Sequence, residues 1–305
     1  MTRGNRPISA LALVCLLAGA CGRLQPSRAA GTPTPTFDPS RAIVLSVLSD
    51  SVYLIDPVSG QIRSVARGLT DFQSGYASWS PDHQRIAWGD AGITILDTRT
   101  GSQSHMNQGQ LLSMPAWSPD GSQIAYGDGT ELWVSPVAKP RPKLLDLPQD
   151  IAPVAMSWWP GRAIAFEGLE LDCGHSATCL STDLSEIWTI RPDGSGARQI
   201  TRVGHAENPK WSPDHSQILF IRSVTTKGAR QSEVWAIGAN GRGARQISPA
   251  ANVIAAAWSP NGQSIATVRP GADRGTLQVW IAGADGSNPH TLGTPLHGTE
   301  ATIDW

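Results

Sequence analysis

An all-β fold of six blades is predicted by a repeated segment, by its spacing and by the composition of the chain. The 305 residues include 12 Trp, 31 Gly and 23 Pro but only 4 Phe and 3 Tyr. This composition is typical of many short strands joined by turns, with one aromatic residue used repeatedly. A Trp recurs at intervals of 38, 41, 53, 47 and 47 residues, beginning at Trp79 and ending at Trp305. Each interval has the length of one four-stranded blade of a β-propeller.

Each of the first five repeated Trp residues begins a two-part segment. The first part resembles Trp-Ser-Pro-Asp and the second resembles Ile-Ala-Phe, with a degenerate first part, Trp-Trp-Pro-Gly, in the copy at Trp158. The copies begin at Trp79, Trp117, Trp158, Trp211 and Trp258. Pro presets the φ angle of a turn, Asp bonds to nearby backbone, and a following Gly tolerates positive φ. The segment therefore predicts a hairpin between the first and second strands of a blade.

Two histidines occupy the turn position that Gly121 and Gly262 occupy in other copies. They are His83 and His215. Because His is among the residues that tolerate left-handed backbone, a structural role in the turn is favoured over a functional one.

Two further strands complete most repeats. An alternating apolar strand such as Val234-Trp235-Ala236-Ile237 comes third, and a Gly-rich turn then leads to a short fourth strand. Residues 41–66 supply only the last three strands of a repeat, and residues 301–305 supply only a first strand. Pairing of these ends would remove two open sheet edges. The predicted domain is a six-bladed β-propeller over residues 41–305, with its first blade closed by the C-terminal strand.

The beginning of the chain predicts export. Arg3 and Arg6 precede an apolar run, residues 8–17, that is too short to span a bilayer permanently. No other apolar stretch of the sequence reaches the length of a membrane span.

The segment that follows resembles a bacterial lipoprotein signal box. Residues 18–21 read Ala-Gly-Ala-Cys, which implies a signal peptide over residues 1–20 and a lipid on Cys21. The alternative is ordinary cleavage after Ala20 and secretion. Residues 21–40 are rich in Pro, Ser and Thr, so they are expected to form an extended tether.

Two cysteines remain within the predicted domain. Cys173 and Cys179 lie six positions apart, and an exported protein meets an oxidising compartment, so a disulfide between them is expected. The alternative is a metal site that also uses His175, but this set lacks a fourth ligand and the usual zinc spacing.

The repeat resembles that of the TolB group of β-propellers, in which a Trp or Phe precedes Ser-Pro-Asp-Gly and an Ile-Ala-Phe-like strand. The resemblance covers residues 41–305. It implies six blades, a repeated Trp packed between blades and an Asp that stabilises the turn. TolB itself has a further domain before its propeller, and here a short linker precedes the first strand. The resemblance therefore implies the fold more directly than a TolB-like role.

The sequence favours binding over catalysis. Nucleophile elbows, His-Glu-x-x-His helices, phosphate loops and EF-hand loops are absent from it, and no cofactor or metal is predicted. A formal net charge of −1 gives no basic footprint for nucleic acid. The favoured function is a monomeric cell-surface binding or scaffold lipoprotein for a protein, peptide or glycan, attached to the membrane only through its lipid. The alternative is an extracellular hydrolase or lyase with a site at the mouth of the central channel.

Two groups of residues are candidates for a site. Polar residues on or near the innermost strands could converge at the channel mouth, although simple solvation is the more ordinary role for them: Glu207, Asn208, Glu300 and Asp304. The longest connections between second and third strands are expected at 167–185, 223–232 and 269–276, on the face opposite the Ser-Pro turns. Insertions on a rigid scaffold often carry recognition. The candidate partner-binding residues in them are Lys227, Arg230, Arg269, Asp273 and Arg274.

Overall fold

Six antiparallel sheets follow one another in the computed structural model, which describes residues 37–48, 50–67, 76–111, 113–159, 163–172, 180–226, 229–248 and 251–305. These residues belong to a single unit, Phe37–Trp305. The sheets are the blades of the predicted six-bladed propeller. Within the same residues no helix is long and apolar enough to cross a membrane.

The strands of each blade are numbered along the chain. Those of the first three blades are β1 (Ile43–Val47), β2 (Ser51–Ile55), β3 (Ile62–Arg67), β4 (Ala77–Trp79), β5 (Arg85–Asp97), β6 (Gln103–Leu111), β7 (Ser113–Trp117), β8 (Gln123–Gly127), β9 (Leu132–Pro136) and β10 (Lys143–Leu145). Those of the remaining blades are β11 (Ile151–Trp159), β12 (Ala163–Asp172), β13 (Leu180–Ile190), β14 (Arg198–Gln199), β15 (Ala206–Trp211), β16 (Gln217–Thr226), β17 (Ala229–Gly238), β18 (Arg245–Gln246), β19 (Ala255–Trp258), β20 (Ser264–Pro270), β21 (Thr276–Gly283), β22 (His290–His297) and β23 (Ala301–Asp304).

The C-terminal strand closes the first blade, as predicted. That blade has the order β23-β1-β2-β3, with Leu45 opposite Ile303 and Val47 opposite Ala301. The backbone amide of Leu48 continues the ladder to the carbonyl of Glu300 at 3.1 Å. The two ends of the chain therefore share one sheet.

The second blade differs from the others in its strand boundaries. Arg85–Asp97 is one continuous extended segment, which pairs with β4 through its first half and with β6 through its second half. This sheet is therefore assigned three strands where the other five have four. Gly92, with φ of 117°, lies where the two halves meet.

The repeated turn has the predicted chemistry. In the copy at Ser118, its hydroxyl donates to the Asp120 carboxylate at 2.6 Å, and that carboxylate accepts the backbone amide of Ser122. The fourth turn position has positive φ in every described copy, whether it is Gly121 at 66° or His83 at 51°. The structural explanation of the histidines is thus confirmed.

The core lies between the blades. Six clusters of buried apolar side chains occur among the described residues, and each draws on two neighbouring blades. The Ile-Ala-Phe strand supplies both faces of a blade: Ile164 and Phe166 pack toward the third blade, and Ala165 packs toward the fifth. The first blade packs against the sixth through Leu45 and Ile303, which completes the ring.

The prediction of long loops between second and third strands is wrong. Most of their residues extend the strands, since β12 continues to Asp172 and β16 pairs with β17 out to Thr226 and Ala229. In the sixth blade Arg269 is still paired, opposite Gln278, so only 271–275 turns. β-branched residues such as Val224 suit a strand, and the hairpins therefore lengthen instead of opening into loops.

Acid should weaken the Ser-Asp turns. The Ser118 and Ser212 hydroxyls are the leading cause that holds the pKa values of Asp120 and Asp214 below the usual value of 3.8. A carboxyl whose pKa falls on folding stabilises the fold above its unfolded pKa, and this stabilisation is lost as pH falls through the folded value. We therefore expect the melting temperature to drop below about pH 4.

The matched variant is Asp120→Asn with Asp214→Asn, because Asn261 already occupies this position in the sixth blade, where it accepts from Ser259 at 2.8 Å. Melting temperatures at pH 5 and pH 3 should differ less in this variant than in the wild type. Equal drops in both proteins would show that the turns do not contribute to acid sensitivity.

Candidate functional site

A cavity opens at the mouth of the central channel, on the face that carries the Ser-Pro turns. We call this end the Ser-Pro face and the cavity the mouth cavity. The innermost strands of the blades lead to it, and its volume is about 370 Å³. It is lined by Ser78, Trp79, Ser80, Pro81, His83, Ala116, Trp117, Pro119, Met156, Ser157, Trp158, Lys210, Trp211, Pro213, His215, Pro260, Asp304 and Trp305.

The repeated Trp residues have two different environments at this mouth. Trp79 and Trp117 are only 6% and 5% exposed, and their indole N–H groups donate to the carbonyls of Ala42 and Ser78 in the preceding blade. These two rings join blades, as the resemblance implied. The repeated Trp residues that line the cavity and are only half-buried, although they also pack against the core, are Trp158, Trp211 and Trp305.

The residue before each repeated Trp belongs to one ring of positions around the channel. Its members are Ser78, Ala116, Ser157, Lys210, Ala257 and Asp304, and all except Ala257 line the mouth cavity. Some of them also connect innermost strands of neighbouring blades. The Ser157 hydroxyl accepts the backbone amide of Trp211 at 3.2 Å, and the Ser78 hydroxyl donates to the Pro115 carbonyl at 2.7 Å.

The two charged members of this ring form an ion pair. Lys210 Nζ lies 2.9 Å from Asp304 Oδ1, and the side chains are 21% and 22% exposed. Asp304 Oδ2 also accepts the backbone amide of Trp79 at 2.9 Å. Strand β19 lies between β15 and β23, and its member of the ring of positions is Ala257. Because an Ala side chain ends at Cβ, Lys210 can reach past the sixth blade to Asp304.

The two turn histidines also reach the mouth cavity. The His83 ring stacks on Trp79 with centroids 5.3 Å apart and planes inclined by 9°, and its Nδ1 lies 3.1 Å from the Ser40 carbonyl oxygen. Burial lowers the pKa of His215, and the charge of Asp214 opposes that shift. Their backbone role is structural, and their rings in addition form part of the cavity wall.

The four predicted channel-mouth residues do not all line the mouth cavity. Asp304 lines the mouth cavity, whereas Asn208 lines a smaller cavity of about 30 Å³ together with Tyr76. Glu207 instead accepts from the Ser223 hydroxyl at 3.1 Å, and neither it nor Glu300 lines the mouth cavity.

Tyr76, in the smaller cavity, is affected by the charges of two carboxylates. Burial, and after it the negative charges of Glu167 and Glu300, raise the pKa of Tyr76 to about 12. Glu167 is buried and accepts the backbone amide of Asn208 at 3.0 Å. Of the four predicted residues, Asn208 and Glu300 are thus associated with Tyr76, and Asp304 with the mouth cavity.

The predicted partner-binding residues remain a prediction. Arg269 packs its guanidinium 5.0 Å from the centre of the Trp280 ring, and burial lowers its pKa. Asp273 and Arg274 are exposed at the adjoining turn. Arg230 lies in β17. Lys227 lies outside the described residues, as do the lipidation candidate Cys21 and the disulfide candidates Cys173 and Cys179.

Sequence reasoning missed Lys210 and the half-buried indoles. The repeat pattern predicts the Trp as packing between blades, and the signal for the site lies instead in the residue before each Trp. At this position the six copies have one Lys and one Asp among otherwise small residues. Among the described residues no group of three or more His, Cys, Asp or Glu side chains could hold a metal ion.

Comparison with known proteins supports the fold. No protein-family profile matches the sequence, and no curated protein matches it. The structure of TolB from Acinetobacter baumannii matches 88% of this chain and 67% of its own length, with a TM-score of 0.66 and 16% identity. This chain has a TolB-like propeller fold.

Two further structures extend the comparison. A TolB from Agrobacterium tumefaciens matches 85% of this TolB-like chain and 91% of its own, with a TM-score of 0.63 and 18% identity. An oligogalacturonate lyase in complex with manganese matches 80% of this chain and 70% of its own, with a TM-score of 0.53 and 12% identity. At these identities the likeness concerns the fold, which serves both binding proteins and enzymes.

Proposed function

We propose that this TolB-like propeller is a non-catalytic binding protein of the bacterial cell envelope, which captures a protein, peptide or glycan in the mouth cavity. One observation carries the proposal: half-buried Trp158, Trp211 and Trp305, from three different blades, meet the Lys210–Asp304 pair in one concave site. A concave site with aromatic walls and a few polar groups is typical of ligand recognition.

The arrangement supplies both affinity and orientation. An indole gives a large rigid contact area with little conformational entropy to lose. The ion pair is rigid at one end, because Asp304 also holds the amide of Trp79. Since the innermost strands carry Trp158, Trp211, Lys210 and Asp304, and Trp305 directly follows β23, the site is largely preorganised, and the cost of ordering it on binding is small.

The proposed location is the outer face of a bacterial membrane, through a lipid on Cys21. The signal-box sequence and the likeness to TolB proteins support it. The hydrolase or lyase alternative has the lyase likeness in its favour, at the level of fold. The competing candidate for the binding surface is the group of predicted partner-binding residues, which includes Arg269, Asp273 and Arg274.

Capture from a cell-envelope extract should depend on the mouth cavity. We expect Lys210→Met and Trp305→Ala to reduce the amount of specifically captured ligand at least about tenfold, because each removes a group that lines the cavity. Arg274→Glu, on the opposite face, should leave capture unchanged. The measurement is quantitative mass spectrometry of material bound to immobilised protein, with melting temperatures to confirm folding.

The reverse pattern would contradict the proposal. If Arg274→Glu together with Lys227→Glu and Arg230→Glu abolishes capture while the mouth variants retain it, the opposite face is the binding face. Turnover of the captured material by wild-type protein would instead favour the enzyme alternative.

A further inference from the structure

The wall of the mouth cavity suits a ligand with flat apolar faces. The half-buried rings of Trp158, Trp211 and Trp305 come from the fourth, fifth and first blades, so they lie on different sides of the opening. Exposed prolines Pro81 and Pro213 extend the apolar surface at the rim. A ligand held by several separate rings must present more than one apolar face or ring.

The charged part of the cavity adds hydrogen bonding without net charge. An ammonium group has three N–H donors, and among the described residues Lys210 uses one, on Asp304. A carboxylate has about four lone-pair sites, and Asp304 receives two donors, from Lys210 and the Trp79 amide. Unused donors and acceptors therefore lie side by side.

This pair discriminates by charge. Asp304 repels an anionic ligand group, and Lys210 repels a cationic one, whereas a neutral group that both donates and accepts can contact both. Adjacent hydroxyls on a sugar ring have this property, since one can accept from Lys210 while its neighbour donates to Asp304. The C–H faces of the same ring supply the apolar surface that indoles contact.

The space available extends beyond one ring. A second cavity of about 470 Å³ adjoins the mouth cavity and shares Pro81, His83, Pro260 and Trp305 with it. Trp305 therefore lines both cavities. A chain-like ligand can occupy both, with one unit over the ion pair and another beyond Trp305.

We propose that the ligand of the mouth cavity is a neutral oligosaccharide. Its sugar rings stack on Trp158, Trp211 and Trp305, and a pair of adjacent hydroxyls bridges Lys210 and Asp304. This inference rests on the proposed function, because it specifies the ligand class of the same site.

The test offers two ligand classes to the same protein. Full-length wild-type protein is applied to an array of neutral, acidic and amino-sugar oligosaccharides and, in parallel, to a phage-displayed peptide library. We expect binding to neutral oligosaccharides that changes little with salt, because no net charge is exchanged. Asp304→Asn and Lys210→Met should each weaken it about tenfold or more, as expected for a lost hydrogen bond to a charged group.

Matched variants separate the site from the fold. Lys143→Met removes a lysine of the third blade that donates to the Asp193 carbonyl, and Trp133→Phe alters a half-buried Trp outside the cavity. Neither should change binding. Asp304→Asn keeps an oxygen for the Trp79 amide, so the fold should be retained, and a melting curve checks this.

Other outcomes overturn the inference in distinguishable ways. Peptide binding at the mouth cavity, lost in Asp304→Asn, would refute the oligosaccharide and leave the proposed function intact. Salt-sensitive binding of acidic or amino-sugar oligosaccharides would refute the charge argument. Binding of either class that is unaffected by every mouth variant would overturn both the inference and the proposed function.

Discussion

Deletion of residues 300–305 should lower the free energy of unfolding by more than about 3 kcal/mol. Ile303 alone is 1% exposed, and full burial of such a side chain contributes about 1.5–3 kcal/mol. The deletion also removes the ladder to β1 and both bonds of Asp304. An edge of the first blade is then left open, so aggregation should increase as well.

A milder variant keeps this prediction testable if the deletion does not fold. Ile303→Ala should cost about 2–5 kcal/mol, because it leaves a cavity between the first and sixth blades. Val58→Ala, at a side chain that is 79% exposed, should stay within about 0.5 kcal/mol of the wild type. Urea unfolding with a constant m-value gives the comparison. A deletion that leaves the unfolding midpoint unchanged would refute a stabilising role for the closure.

The architecture could be predicted from sequence because each blade is a local unit. A strand, a Ser-Pro-Asp turn and the next strand are contiguous, and their turn residues specify φ directly, as at Gly121 and His83. The closure of the first blade by the C-terminal strand was also predictable, since the two incomplete repeats at the ends of the domain complement each other. The strand lengths were not predictable, because charged residues and cysteines in 167–185 interrupt the alternating apolar pattern, although the strand continues to Asp172.

The candidate site was less predictable for a geometric reason. Lys210 and Asp304 are 94 positions apart, and their contact requires the ring to close at the correct blade number. Asp304 was identified as a channel residue, but its partner could be recognised only by comparing the position before each Trp. The half-burial of Trp158 and Trp305, in contrast to the burial of Trp117, depends on the packing of neighbouring blades, which the sequence of a single repeat does not specify.

Gly286→Ala should be the most damaging change among the turn glycines between third and fourth strands. Gly286 has φ of 86°, which costs an L-residue about 1–2 kcal/mol. A Cβ there would also overlap the carbonyl oxygen of Ile247 and approach its carbonyl carbon to 3.0 Å. Ile247 belongs to the fifth blade, so the turn of the sixth blade would have to move away. We expect a total cost of about 2–5 kcal/mol.

Gly243→Ala is the matched control, because it separates backbone strain from blade contact. Gly243 has φ of 69°, and a Cβ there would meet nothing within 4 Å. It should therefore cost only the strain, about 1–2 kcal/mol. Urea unfolding of the two variants measures the difference, which reports the close approach of the fifth and sixth blades. Equal losses would mean that the blades can separate at this turn without cost, and that glycine is required there by φ alone.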